Sequence, residues 1–363
     1  MADINTQKII DGLHRQTGTL TMFADGFIDE QWSLVHSRIS MDDVTLIGKM
    51  TQFADRINAV GSGGMGIELI KKRVVFGGFT ANIGNAAAAL GVNTVMAGLF
   101  GEGEIAPVFE ELQKISRMIT LGEPSITHAL EFDDGKILMT NMEAVLGMRW
   151  SRIVDVLGME EIKNMIKASD IIGVGYWSLM PAFDEIVEQL CAIIPQDGKN
   201  RRFFYDFADF SRRDRDSLVK TLNMLKGLNK KVPMTLSVNE HEAAVLYSLS
   251  NETFDDKGRS IAEKTETVRQ QIGLDELVIH TPYFAAAASG TGGAAMIPQI
   301  FVKKPVRTAG AGDTFNGAYI TAALAGLNVA ERLHTANASV TFFLNNGYAP
   351  NRNRLIDEVI RNE

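Results

Sequence analysis

The residues best suited to chemistry stand in the run Thr308-Ala309-Gly310-Ala311-Gly312-Asp313-Thr314-Phe315-Asn316-Gly317. It follows a strand-like stretch, Gln299 to Val302. It opens a helix-like one from Asp313 to Ala325, where Phe315, Ala318, Ala322 and Ala325 recur at helical spacing before Gly326. Small residues at a helix start let backbone amides crowd an anion, and the helix dipole favours negative charge there. Asp313 sits among those donors. The helix start should favour its ionised form, leaving it able to accept a proton without being a strong base. Phosphoryl transfer fits this, because its loose transition state needs positioning and charge stabilisation more than vigorous deprotonation. Taken alone, Gly-Ala-Gly before a helix is also a common tight turn that packs a helix on a sheet.

Other stretches carry candidates of the same kind. Asp29 follows the first strand-like run, where open α/β sheets bind ligands, and could hold hydroxyls or simply face water. Gly77-Gly78 permits close backbone approach, and Asn82, four residues on, can both donate and accept as a polyol requires; an Ala-rich structural helix reads as well. Asn239 and Glu242, three apart at a helix start, could orient water or Mg²⁺ beside a triphosphate, although a capping box has the same spacing. Arg212 and Arg213 could meet phosphates or form a solvated loop after the strand ending at Asp206. His280, inside an apolar strand, reads as a core histidine, and Cys191 as a packed thiol. No Cys/His/carboxylate set has metal-ligand spacing, and no Gly-x-Ser-x-Gly elbow occurs.

These residues need a frame, and the composition permits a large one. With 363 residues, 45% hydrophobic and 22% charged, the chain reads as one or two soluble α/β domains. A net charge of −8 argues against a nucleic-acid partner. The first twenty residues hold no signal-like apolar region, and no run approaches the roughly 18 residues of a membrane span, so a cytoplasmic protein with no membrane partner is expected. Strand and helix patterns alternate regularly from about residue 159, implying βαβ units and a mainly parallel sheet. Before that the pattern is less regular. Val35 to Ile39 is strand-like, Asp43 to Val60 reads as one helix with Leu46, Met50, Phe53 and Ile57 on a face, and Ile67 to Phe76 is another strand. Pro107 to Met118 reads as a helix, and Asp133-Asp134-Gly135 between two apolar runs signals a hairpin.

Gly77-Gly78 with Asn82, Asn239 with Glu242, and Thr308 to Asp313 stand in one order along the chain, and together they resemble the PfkB, or ribokinase-like, carbohydrate kinase family from about Leu20 to Pro350. The resemblance implies a single domain over 1–363: a three-layer α/β/α sandwich with a mainly parallel central sheet and a small β-strand lid built near 33–40, 67–76 and 127–141. It implies transfer of the γ-phosphoryl group of ATP to a hydroxymethyl-type hydroxyl of a sugar or sugar derivative. By the same likeness Asp313 is the general base, and the amides of Gly310, Ala311 and Gly312 are the anion hole. Asp29, Gly77, Gly78 and Asn82 hold the acceptor. Asn239, Thr308, Asn337 and Glu242 serve the nucleotide, Glu242 also meeting Mg²⁺ through water. Where the family often has Asp, this chain has Arg307, so a K⁺ requirement does not carry over and Arg307 is itself a source of positive charge. The long segment from Gln31 to Phe76 keeps the acceptor's identity open, a nucleoside included. A non-catalytic binding protein on the same scaffold is a further alternative. The exposed edge of a lid leads us to expect a homodimer through it.

Overall fold

Apolar side chains that alternate along short strands are sorted onto opposite faces of a sheet, and two separate helical layers then cover them. The computed structural model describes residues 4–255 and 260–362. In chain order its strands are β1 (Thr19–Phe23), β2 (Phe27–Arg38), β3 (Val44–Leu46), β4 (Leu69–Gly77), β5 (Asn93–Leu99), β6 (Arg117–Gly122), β7 (Ser125–Phe132), β8 (Gly135–Asn141), β9 (Ile171–Gly175), β10 (Arg202–Asp206), β11 (Met234–Asn239), β12 (Glu276–His280), β13 (Phe284–Ser289) and β14 (Gly293–Pro298). Nine make one sheet in the order β14-β13-β12-β11-β10-β9-β1-β5-β6. Every pairing from β12 to β6 is parallel, while β13 runs antiparallel to both its neighbours.

Period-two alternation separates the two cores. Phe203 and Tyr205 of β10 enter one and Phe204 the other; on β12, Leu277 and Ile279 lie opposite Val278. Helices Phe183–Ala192 and Arg215–Leu228 close the first face. Helices Phe79–Ala89, Ala311–Leu324 and Val329–Asn346 close the second, which completes the three-layer sandwich.

A smaller sheet grows from β2, which pairs antiparallel with β3 and β4 and parallel with β7, β8 continuing beyond β7. The segments 33–40, 67–76 and 127–141 fall on or beside β2, β4 and the β7–β8 hairpin. Register divides this sheet's side chains. Asp29, Gln31, Thr127, Ala129, Leu138 and Thr140 share one face and line a cavity, while Trp32, Val74, Ile126 and Met139 share the other.

Four expectations from the sequence need correction. Residues 43–60 are not one helix: the β-branched start, Val44 to Leu46, pairs with β2, and the helix runs only from Met50 to Val60. Residues 107–118 give a short turn and the single helical turn Glu110–Gln113, and then Arg117 starts β6, because pairing beside β5 outweighs the weak helical pattern. The sheet ends at Pro298, so Gln299 to Val302 is a loop, with Phe301 stacked on Tyr283 instead of entering a strand. Asp29 lies within a strand, not in a loop after one.

Phe183 is fully buried, with ring centroids 5.6 Å from Tyr205 and 5.4 Å from Phe207. Phe183→Ala should destabilise the fold by about 3–5 kcal/mol. Urea unfolding should show a lower midpoint with the slope unchanged.

Candidate active site

Open α/β sheets bind ligands beyond the carboxyl ends of their parallel strands, and the polar residues here gather on that edge. Asp25 follows β1, Tyr176 follows β9, and Asp206, Asn239 and His280 end β10, β11 and β12. Above them begins the helix Ala311–Leu324, capped by Gly310 at φ 92, a left-handed conformation that glycine adopts without strain.

Asp313 stands in the first turn of that helix. Asn82 Nδ2 donates to its Oδ2 at 2.8 Å and the Tyr176 hydroxyl to its Oδ1 at 3.2 Å. The helix start does not decide its charge, contrary to the expectation from sequence. Burial lifts its carboxyl to about 7, the nearby Asp206 adds to the rise, and the bonds from Asn82 and Tyr176 only partly offset it.

Supporting carboxylates surround it. Asp25 accepts the amides of Phe79 (2.8 Å) and Thr80 (2.9 Å), fixing the helix that carries Asn82, and burial raises it to about 6. Its oxygen occupies the space beside Gly78, where an added Cβ would meet it at 2.6 Å and φ is 93. Asp206, also raised to about 6 by burial, accepts from Asn316 Nδ2 at 2.9 Å. Asn316 in turn accepts from the Ser237 hydroxyl at 2.6 Å, tying the Asp313 helix to β11.

Asn239 and Glu242 form the capping box that their spacing allowed. The Asn239 amide donates to Glu242 Oε2 at 2.9 Å and its Nδ2 to Oε1 at 2.7 Å. Burial, and next the negative charge of Asp206, push Glu242 to about 9. In the glycine turn the Ala311 amide already donates to the Thr308 carbonyl at 3.1 Å. Among the described residues, Gly310 and Gly312 are therefore the amides of the expected cradle left without a backbone acceptor. Asn337, buried, donates to the Pro298 carbonyl at 3.1 Å.

Two cavities meet at this helix start. One of about 260 Å³ is lined by Asp29, Gly78, Asn82, Tyr176, Arg307 and Gly310 and covered by the smaller sheet. Burial raises Asp29 there, while Thr127, Lys136 and Arg307 draw it back. Gly77 approaches the same carboxylate so closely that a Cβ would meet it at 2.7 Å. The second cavity, about 520 Å³, is lined by Asn239, His280, Thr308, Ala311, Gly312 and Asn337. His280 packs 5.2 Å from Phe315, and burial lowers it to about 4, so it is neutral. Arg212 and Arg213 diverge: the first lines the smaller cavity, the second lies 4.6 Å over the Trp177 ring.

Sequence reasoning did not single out Asp25, Tyr176 or Asn316, and it read Asp206 only as the end of a strand. The usable signal was their position, directly after apolar strands or one helical turn beyond Asp313.

Fold and site together define a sugar kinase of the PfkB, or ribokinase-like, type, a phosphotransferase with an alcohol group as acceptor. The chain belongs to the prokaryotic ketohexokinase family, whose profile matches residues 11–360. A ketohexokinase from Haloferax volcanii is 26% identical over 338 residues, spanning 91% of this chain and 88% of its own. The Arabidopsis thaliana ribokinase solved with ribose and ATP superposes with a TM-score of 0.65 at 15% identity, covering 95% of this chain and 99% of its own. The ribokinase II of E. coli solved with ATP and Mg²⁺ gives 0.62 at 14% identity, covering 96% and 100%. At such identities the two structures are similar to this chain in fold. No described helix is long and apolar enough to cross a membrane.

The raised acids make stability depend on pH in a definite direction. A carboxyl whose pKa rises from 3.8 to about 7 on folding binds its proton more tightly in the folded chain. Its stabilisation is complete below the unfolded value and is lost as pH climbs to about 7. The ligand-free protein should therefore melt at a lower temperature at pH 8 than at pH 5.5, and Asp313→Asn should narrow that difference. Calorimetry at both pH values checks this, and an unchanged difference would contradict the burial of Asp313 as an acid.

Proposed function

We propose that the protein phosphorylates a hydroxymethyl group of a ketohexose-type sugar with ATP. The observation that carries the reading is Asp313: Asn82 and Tyr176, which hold it, line the smaller cavity, and Gly312, the residue before it, lines the larger. Sites for drug-sized ligands span roughly 300–1,000 Å³. The smaller cavity suits one sugar, and the larger suits a nucleotide.

In this reading Asp29, Gly77, Gly78 and Asn82 hold the acceptor and aim one hydroxyl at Asp313. Asp313 takes its proton as the hydroxyl oxygen bonds to the γ-phosphorus. The bond to the bridging oxygen breaks, and its electron pair leaves on ADP. The amides of Gly310 and Gly312, with that of Ala311 if its turn opens, hold the developing charge. Thr308, Asn239 and Asn337 line the nucleotide side. Mg²⁺ fits the donor set, since Asp206 and Glu242 are oxygen donors; burial, and next the charge of Asp206, keep Glu242 protonated, and a divalent cation would relieve that repulsion. Both Glu242 oxygens are engaged by Asn239, which favours contact through water. The ion supplies neutralising charge at the phosphates.

The whole chain acts as one kinase domain, with the smaller sheet as its lid. The outward face of that sheet exposes Val74, Ile126 and Met139, and two copies joined there would cover them. Light scattering should give twice the monomer mass; a monomer at working concentration removes the dimer.

The direct test is a panel of ketoses, aldoses, sugar acids and nucleosides with ATP, read by ADP release. Ketohexoses should give the highest kcat/KM. Asp313→Asn should lower kcat by about 10²–10⁴-fold, the usual contribution of a positioned base, while nucleotide affinity survives. Turnover near the wild-type rate in that variant would remove Asp313 as the base.

A further inference from the structure

Arg307 is a charge that the mechanism above leaves unused. It lines the smaller cavity, its guanidinium lies 5.7 Å from the Phe343 ring centroid, and its Nε is buried without a hydrogen-bond partner. Among the described residues the guanidinium forms no ion pair. The neighbouring cations differ: Lys136 stands across the hairpin from Glu131, and Arg212 lies 3.9 Å from Asp209. A guanidinium does not shed its proton, and holding one partly buried and unpaired is unfavourable. Its partner is therefore expected from a ligand.

Its position indicates which ligand atoms. Nη2 would stand 3.9 Å from a Cβ built on Gly310, so the guanidinium overhangs the turn whose amides form the cradle. The nearby carboxylates that act on it are Asp29, on the acceptor side, and Asp313, the base. Arg73 is the other charge felt there, a repulsive one, and it is already bonded to Gln31. With a neutral sugar as acceptor, the anion that passes between Asp29, Asp313 and Gly310 is the phosphoryl group in transit.

We propose that Arg307 is a catalytic residue that binds the transferred phosphoryl group through its guanidinium as that group passes from ATP to the acceptor oxygen. This rests on the kinase reading above. The P–O bond to the acceptor forms as the bond to ADP breaks, and the acceptor proton goes to Asp313. Arg307 exchanges no proton. It donates hydrogen bonds to the equatorial oxygens, whose charge is shared in the transition state, and a planar fork suits two of them at once.

The test compares wild type, Arg307→Gln, Arg307→Lys and Arg307→Ala with a ketohexose and ATP, measuring kcat, acceptor KM, nucleotide affinity and melting temperature. Arg307→Gln should lose about 10³-fold in kcat, the lower end of what a phosphoryl-binding arginine supplies, with acceptor KM and nucleotide affinity little changed. Added guanidinium chloride should restore part of the kcat of Arg307→Ala, which a structural role would not produce. Should Gln or Ala unfold the chain, Arg307→Lys carries the test: a lowered kcat at an unchanged melting temperature supports the role, and an unchanged kcat overturns it. A loss confined to acceptor KM overturns it too, making Arg307 an acceptor anchor. A wild type that turns over no acceptor overturns the kinase reading and this inference with it, whereas an active wild type beside an unimpaired Arg307→Gln overturns only the inference.

Discussion

Burial of like charges at one edge of the sheet governs this molecule. Asp25, Asp206, Glu242 and Asp313 converge beyond the carboxyl ends of β1, β10 and β11, and all four are lifted above their ordinary values, burial being the largest cause in each case. Such crowding is unfavourable for the empty protein unless protons remain. It becomes favourable when cationic or hydrogen-bonding ligands arrive. The arrangement that strains the unliganded site therefore favours occupancy, and it brings a carboxylate to a pKa near neutrality, where a general base works best.

The rest of the fold keeps that edge in order. Asp25 fixes the helix that delivers Asn82, and Asn316 joins the Asp313 helix to Asp206 and Ser237. Tyr176 is anchored edge-on against Phe79, with ring centroids 5.7 Å apart, so the donor to Asp313 and the helix bearing Asn82 share one packing contact. The smaller sheet contributes differently. It adds a wall of alternating polar residues from strands far apart in sequence, and β2 links that wall directly to β1.

Much of this was legible from residues alone where the cause is local. Gly78 and Gly310 sit at φ 93 and 92, so the glycines that marked the motifs do mark turns which other residues would strain. The apolar runs of β9 to β12 read as buried parallel strands because both their faces are covered. Residues 43–60 were not legible, since their helical spacing of apolar residues continued into Val44 to Leu46, a segment claimed by pairing with β2. The end of the sheet at Pro298 was similarly hidden, because an apolar loop such as Gln299 to Val302 carries the same composition as a strand.

The sequence by itself determined the order of the motifs, the βαβ alternation and the carboxylate set in a glycine turn at a helix start. These are properties of neighbouring residues, dictated by backbone sterics and side-chain periodicity. Only the tertiary structure decided what that carboxylate is. A helix start argued for an ionised Asp313, but burial outweighs it, the charges of Asp206 and Asp25 add to the rise, and the bonds from Asn82 and Tyr176 only partly offset it. The partner of Asn82 and the exposure of Arg307 to the smaller cavity are likewise set by contacts between residues distant in the chain.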